Sequence, residues 1–232
     1  MKRSAVLTVL AAIVALAAVG IAPSSAQTTE EHQALVQRSY NDVLGRSPES
    51  PAFETWVSEL DGGLARSEYA FALLDSDEFR RVIVNVFYGI YLDREADPTA
   101  LAAFAPVIDG GSSWEHVESL ILGSDEFFNN EGGDNTSFVT ALYGRVLGRA
   151  PDQPGADFFL EKLDEGWSRQ MVAGAVVLSA EGRRNFINII YESLLLRPVD
   201  EPSLNVWITT PYQTIAVAII ASDEYFTLAV TP

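Results

Sequence analysis

The sequence has no cysteine. That excludes a disulfide framework, a thiolate metal site, a cysteine nucleophile and lipid attachment through a cysteine. Two histidines in 232 residues argue against a metal site built from several imidazoles. Positive charge is scarce: 15 Lys and Arg stand against 32 Asp and Glu, a formal net charge of −17. No basic stripe is available to meet a phosphate backbone, so nucleic acid is excluded as a partner. The Gly-x-Ser-x-Gly elbow of a serine hydrolase is missing, as are the phosphate-cradling and dinucleotide glycine patterns. What remains is 48% hydrophobic and 20% charged, the composition of a chain with ample core-forming residues.

Only one long apolar run occurs, and it is N-terminal. Lys2 and Arg3 precede an apolar stretch from Ala5 to Ala22, followed by Pro23, Ser24, Ser25 and Ala26. A short basic segment, an apolar segment and small residues at 24 and 26 form the layout of a secretory signal peptide, residues 1–26. The alternative is an uncleaved anchor, since eighteen residues barely span a bilayer. Cleavage leaves a chain that begins near Gln27, with one lysine (Lys162), twelve arginines and a net charge of −19. With no second apolar run, that chain is expected to be soluble, exported and without a membrane span.

The remainder is built from four copies of one unit. Tyr40, Tyr88, Tyr143 and Tyr191 each precede an arginine by six residues (Arg46, Arg94, Arg149, Arg197). An acid follows each Tyr by nine (Glu49, Asp97, Asp152, Asp200), and an aromatic by sixteen (Trp56, Phe104, Phe159, Trp207). A second marker closes each unit: Ser76-Asp-Glu-Phe79, Ser124-Asp-Glu-Phe127, Ser179-Ala-Glu-Gly182 and Ser222-Asp-Glu-Tyr225.

Each unit reads as three short helices, so the fold class is all-α. Val36, Tyr40, Val43 and Leu44 fall at the i, i+4, i+7, i+8 spacing of one helical face, and the stripe recurs around the other three tyrosines. Proline marks a second helix start at Pro51, Pro98, Pro154 and Pro202, where its missing N–H costs nothing. A third helix opens at Ser113, at Ser168 and near Thr210, with Ala65 in the corresponding place of the first unit. The marker serine precedes the next Tyr by twelve residues at the first and third junctions, about three helical turns. One continuous helix is therefore predicted across each. The middle junction is longer and carries Asn129-Asn-Glu-Gly-Gly-Asp-Asn135, a loop composition. The predicted organisation is two helical lobes, 32–130 and 137–230, joined by a linker at 131–136.

The recurring residues read most simply as structure. A Tyr on an apolar stripe belongs to a core, with its hydroxyl at the rim; a ligand platform is the alternative. The Arg pairs with the acid three residues on or with carbonyls at the helix end, or else clamps an anion. The acids at offset nine stand where a carboxylate accepts N–H bonds at a helix start, with calcium binding as the sharper reading. His32 lies in a polar N-terminal stretch read as mobile, and His116 in a first helical turn. The acids fall mainly on exposed faces or caps. No catalytic, cofactor-binding or metal-ligating residue is assigned.

Tyr40–Arg46 with Trp56 and Ser76–Phe79, and Tyr143–Arg149 with Asp152 and Phe159, carry a pattern that resembles a bacterial family known only as domain of unknown function four-two-one-four. The resemblance spans about residues 32–229 in four imperfect units. Asp93 and Leu196 replace the glycine before the Arg in two of them, and Ala-Glu-Gly replaces Asp-Glu-Phe in the third. It implies an all-helical module similar in fold to phycobilisome linkers, found in exported and surface-layer proteins, with no catalytic residues and no cofactor. The expected function is an exported, non-catalytic structural or protein-interaction module of the cell exterior, whose partner is an unknown protein or cell-surface component. The alternatives are an acidic secreted enzyme acting on glycans through paired carboxylates, and a calcium-stabilised surface domain.

Overall fold

The computed structural model describes residues 27–109 and 113–231; the signal peptide assigned to 1–26 lies outside them. Among the described residues all regular structure is helical, as the periodicity predicts. In chain order the helices are α1 (Thr29–Leu44), α2 (Ser50–Asp61), α3 (Arg66–Leu74), α4 (Asp77–Leu92), α5 (Pro98–Asp109), α6 (Trp114–Leu122) and α7 (Asp125–Asn130). Then follow α8 (Asn135–Leu142), running into a π-helical turn at Tyr143–Leu147, α9 (Gln153–Asp164), α10 (Arg169–Val177), α11 (Ala180–Leu195), α12 (Glu201–Trp207), α13 (Tyr212–Ala221) and α14 (Asp223–Val230).

Caps set this punctuation. The marker serines Ser76, Ser124, Ser179 and Ser222 each accept the backbone N–H three residues on, which supplies one of the partners that the first turn of a helix lacks. Helices α4 and α11 run unbroken for 16 residues from the marker through the Tyr stripe, so the predicted shared helices form. Helix α1 has the same 16-residue length, and Thr28 and Glu31 close a capping box at its start. The middle junction breaks after Asn130 and restarts at Asn135, where Asp134 accepts from Thr136 and Ser137. Gly182 stands where the other markers carry an aromatic. A Cβ there would lie 2.5 Å from the Val176 carbonyl oxygen, so α11 approaches the end of α10 too closely for any side chain.

The described residues divide into two compact units, one holding the chain up to Leu73 together with the residues from Thr214 onward, the other Leu74–Gln213. These units do not coincide with the sequential lobes 32–130 and 137–230, because the Gly132-Gly133 loop lies inside the second unit. The physical reason is visible in each. In the first unit α14 returns to α1: Tyr225, fully buried, donates its hydroxyl to Asp42 at 2.9 Å, and the Arg38 guanidinium lies 5.2 Å from its ring. Arg66 at the start of α3 pairs with Asp223 and covers the Phe226 ring at 4.8 Å. In the second unit α7 packs on α8 and α10, and the arginine–aspartate pair and the guanidinium over a phenylalanine recur there. Phe127 is fully buried against Phe138, and Arg169 pairs with Asp125 and covers Phe128 at 4.2 Å. Tyr40 to Tyr143 and Tyr88 to Tyr191 are both 103 residues, so the four-fold repeat is a pair of units, duplicated.

Candidate functional site

The recurring residues meet in one constellation. The guanidinium of Arg46, Arg94, Arg149 and Arg197 lies over the ring of its own tyrosine six residues earlier, at 5.4, 4.8, 5.2 and 5.2 Å. Each also donates to the carbonyl of the residue that follows it. Arg94 and Arg149 then close on the marker glutamate of their own repeat, Glu126 and Glu181, with two hydrogen bonds apiece of 2.5–2.8 Å. These bonds hold both glutamates below their ordinary pKa and raise both arginines. Arg94 and Arg197 also reach the acids three residues on, Asp97 and Asp200.

The aromatic at offset sixteen completes the arrangement. Trp56 and Trp207 donate their indole N–H to the hydroxyls of Tyr40 and Tyr191 at 3.1 and 2.7 Å. Phe104 and Phe159 instead meet Tyr88 and Tyr143 edge-on. Asp97, Asp152 and Asp200 each accept a backbone N–H at the next helix start, as capping requires, while Glu49 occupies that place without a side-chain bond. Among the described residues no three His, Asp or Glu side chains gather as a metal site.

His32 departs from expectation. It is 5% exposed inside α1, with Nδ1 2.6 Å from Asp61 and Nε2 3.1 Å from Gln27, so the stretch read as mobile is anchored. His116 lies in the first turn of α6, capped by Ser113, as predicted.

Sequence reasoning assigned no site residue and missed a polar cluster inside the second unit. Glu115 and Glu118, on one face of α6, are 5% and 1% exposed. Glu115 Oε1 accepts from Arg183 Nη1 at 3.1 Å and from the Tyr212 backbone N–H at 3.0 Å. Arg183, itself 7% exposed, also donates to the carbonyls of Trp207, Ile208 and Thr210. Glu118 Oε1 accepts the Tyr91 hydroxyl. Glu115 Oε2, Glu118 Oε2, the Tyr212 hydroxyl and the Trp114 indole N–H are buried without a partner. Burial pushes the Glu118 pKa up to about 8, with the Tyr91 hydrogen bond pulling the other way. One signal in the sequence pointed here. At the place of Glu118 the other repeats carry Ala70, Ala173 and Ala216, all buried, so a glutamate stands where the core has room for a methyl group.

A groove of about 430 Å³ runs along α6 and α10, lined by Glu115, His116, Trp167, Met171 and Leu178. It presents one carboxylate, not a facing pair. No single helix among the described residues is long and apolar enough to cross a membrane; α13 and α14 pass that test only together, bent by 54°.

No curated protein matches the chain, and no solved structure does. The family model described as "Domain of unknown function (DUF4214)" matches residues 22–83 and 118–185. The second segment begins 96 residues after the first, close to the 103-residue spacing of the duplicated pair, and the two together cover more than half of the sequence. The chain belongs to the DUF4214 family of domains of unknown function.

Proposed function

We propose that the protein is an exported, non-catalytic module that works outside the bacterial cytoplasm by binding a protein or a cell-surface component. One observation carries the reading: the recurring residues are consumed by internal contacts, repeat after repeat. Each arginine is stacked on its own tyrosine and bonded to a carbonyl, which argues for a repeated scaffold over a repeated reaction site. The signal-like N-terminus supports export. Against a glycan-cleaving enzyme stands the placement of the two most buried carboxylates, three residues apart on one helix. Paired carboxylates that cleave glycosides flank a bound sugar.

Three measurements test this. N-terminal sequencing of protein from a culture supernatant is expected to read Gln27 or a near neighbour; intact Met1 in the membrane fraction overturns export. The purified chain from Gln27 is expected to leave a panel of glycans uncleaved; hydrolysis abolished by Glu115→Gln overturns the non-catalytic reading. Cross-linking on intact cells is expected to capture a surface component, and exclusively cytoplasmic products overturn the location.

A further inference from the structure

We propose that the folded protein holds Glu118 as a neutral carboxylic acid, and that loss of this proton is an alkaline-sensitive release of the helices gathered around it. Within the second unit the cluster draws on α4 through Tyr91, on α6 through Glu115 and Glu118, on α11 through Arg183, and on the first residue of α13, Tyr212. It contains two carboxyl groups and one cation.

The hydrogen bonds decide which carboxyl is charged. Arg183 and the Tyr212 backbone N–H both donate to Glu115, so Glu115 is the carboxylate. The rest of the Arg183 guanidinium goes to main-chain carbonyls. Glu118 receives a single hydroxyl, from Tyr91. An ionised Glu118 would be an anion with one hydrogen bond and no cation bonded to it, closed off from water, an arrangement far costlier than taking up a proton. A protonated Glu118 gains a donor at Oε2, and unpartnered acceptors stand in the same cluster at Glu115 Oε2 and the Tyr212 hydroxyl.

The other charged groups on the packed helices are committed elsewhere or exposed: the buried Arg80 of α4 pairs with Asp75 and Asp77, Asp125 with Arg169, Glu126 with Arg94, Glu181 with Arg149 and Arg184 with Glu201, while Arg81 and Glu192 lie on the surface. Tyr88 packs on Phe104 and Arg94, His116 is exposed, and residues 98–108 hold no ionisable side chain. None of them supplies Glu118 with a counter-charge.

The direction of the effect follows. The folded Glu118 pKa, about 8, lies above the ordinary 4.5, so between these values the folded chain carries a proton that the unfolded chain does not. Its contribution is complete below the ordinary value and is lost as pH rises, at about tenfold in the folding constant per pH unit.

Urea unfolding of the chain from Gln27, from pH 5 to 8.5, tests this with the wild type and with Glu118→Gln, whose amide mimics the protonated acid. The wild-type folding constant is expected to fall about tenfold per pH unit relative to the variant. A protonated-carboxyl infrared band at pH 7 is expected in the folded wild type and not in the variant. Parallel pH profiles, or no such band in the folded wild type, overturn the proposal. Should Glu118→Gln not fold, Glu118→Ala, the residue of the other three repeats, provides the same comparison.

Discussion

Leu196 closes α11 in the left-handed conformation, φ 58°, that Gly148 adopts with φ 71° at the corresponding place in the preceding repeat. A leucine there suffers the contact between Cβ and the carbonyl that makes this region unfavourable by about 1–2 kcal/mol. Glycine removes it, at an entropic cost of about 0.5–1 kcal/mol. The leucine is 70% exposed and forfeits little buried surface. Leu196→Gly is therefore expected to stabilise the protein by about 0.5–1 kcal/mol in urea unfolding. Asp93, at the same place with φ 54°, pairs with Arg145 at 2.7 Å. Asp93→Gly is expected to gain less.

Glu49 sits at the start of α2 without a cap bond, where Asp152 and Asp200 at the matching positions make one. Its extra methylene carries the carboxylate past the N–H groups it would serve. Glu49→Asp is expected to raise stability by about 0.5–1 kcal/mol, seen as a higher urea midpoint with an unchanged slope. No gain would mean that backbone and solvent already satisfy that turn.

Tyr225 is fully buried between α14 and α1 and bonded to Asp42. Tyr225→Ala leaves a cavity of aromatic size, and the expected loss is about 3–5 kcal/mol. Hydrogen exchange should then rise in Thr29–Leu44 while Trp114–Leu122, in the other compact unit, stays protected. Equal loss in both segments would show that the two units unfold as one.

The pH profile should have two limbs. Backbone N–H bonds from Ala100, Ser137 and Ser203 hold Asp97, Asp134 and Asp200 below the ordinary carboxylate value of 3.8. Their contribution is complete above that value and is lost as pH falls through the lowered folded values. Glu118 acts in the opposite sense at higher pH. Stability is thus expected to peak at about pH 4–5. Asp200→Asn should make the acid limb shallower without touching the alkaline limb, and Glu118→Gln should flatten the alkaline limb alone. A single broad plateau from pH 3 to 8 in the wild type would contradict both assignments.

Much of the architecture was legible because it is written in caps and periods. Ser76 and Ser179, twelve residues ahead of Tyr88 and Tyr191, predict the two shared helices, and the Gly132-Gly133 stretch predicts the break between α7 and α8. Thr28 does not read as a helix cap from the sequence, because Thr-Thr-Glu-Glu replaces the Ser-Asp-Glu marker, and the anchoring of His32 is hidden with it. The pairing of Arg66 with Asp223 was not legible either, because contacts across more than 150 residues leave no periodic trace. Glu118 was hidden for a different reason. Composition counts it among 32 acids, and only alignment of the repeats on their buried alanines shows it to be out of place.

The seating of α14 on α1 has a kinetic consequence. Helix α7 reaches α8 through a short loop, and that contact can form as soon as both have been made. In the first unit the seating of α14 on α1 joins Asp42 to Tyr225, 183 residues apart. Closing so long a loop is entropically slow. Helix α1 therefore meets α14 only after the chain through Tyr225 has been made, and until then the part of its apolar stripe that α14 covers is open to chaperones and to other nascent chains.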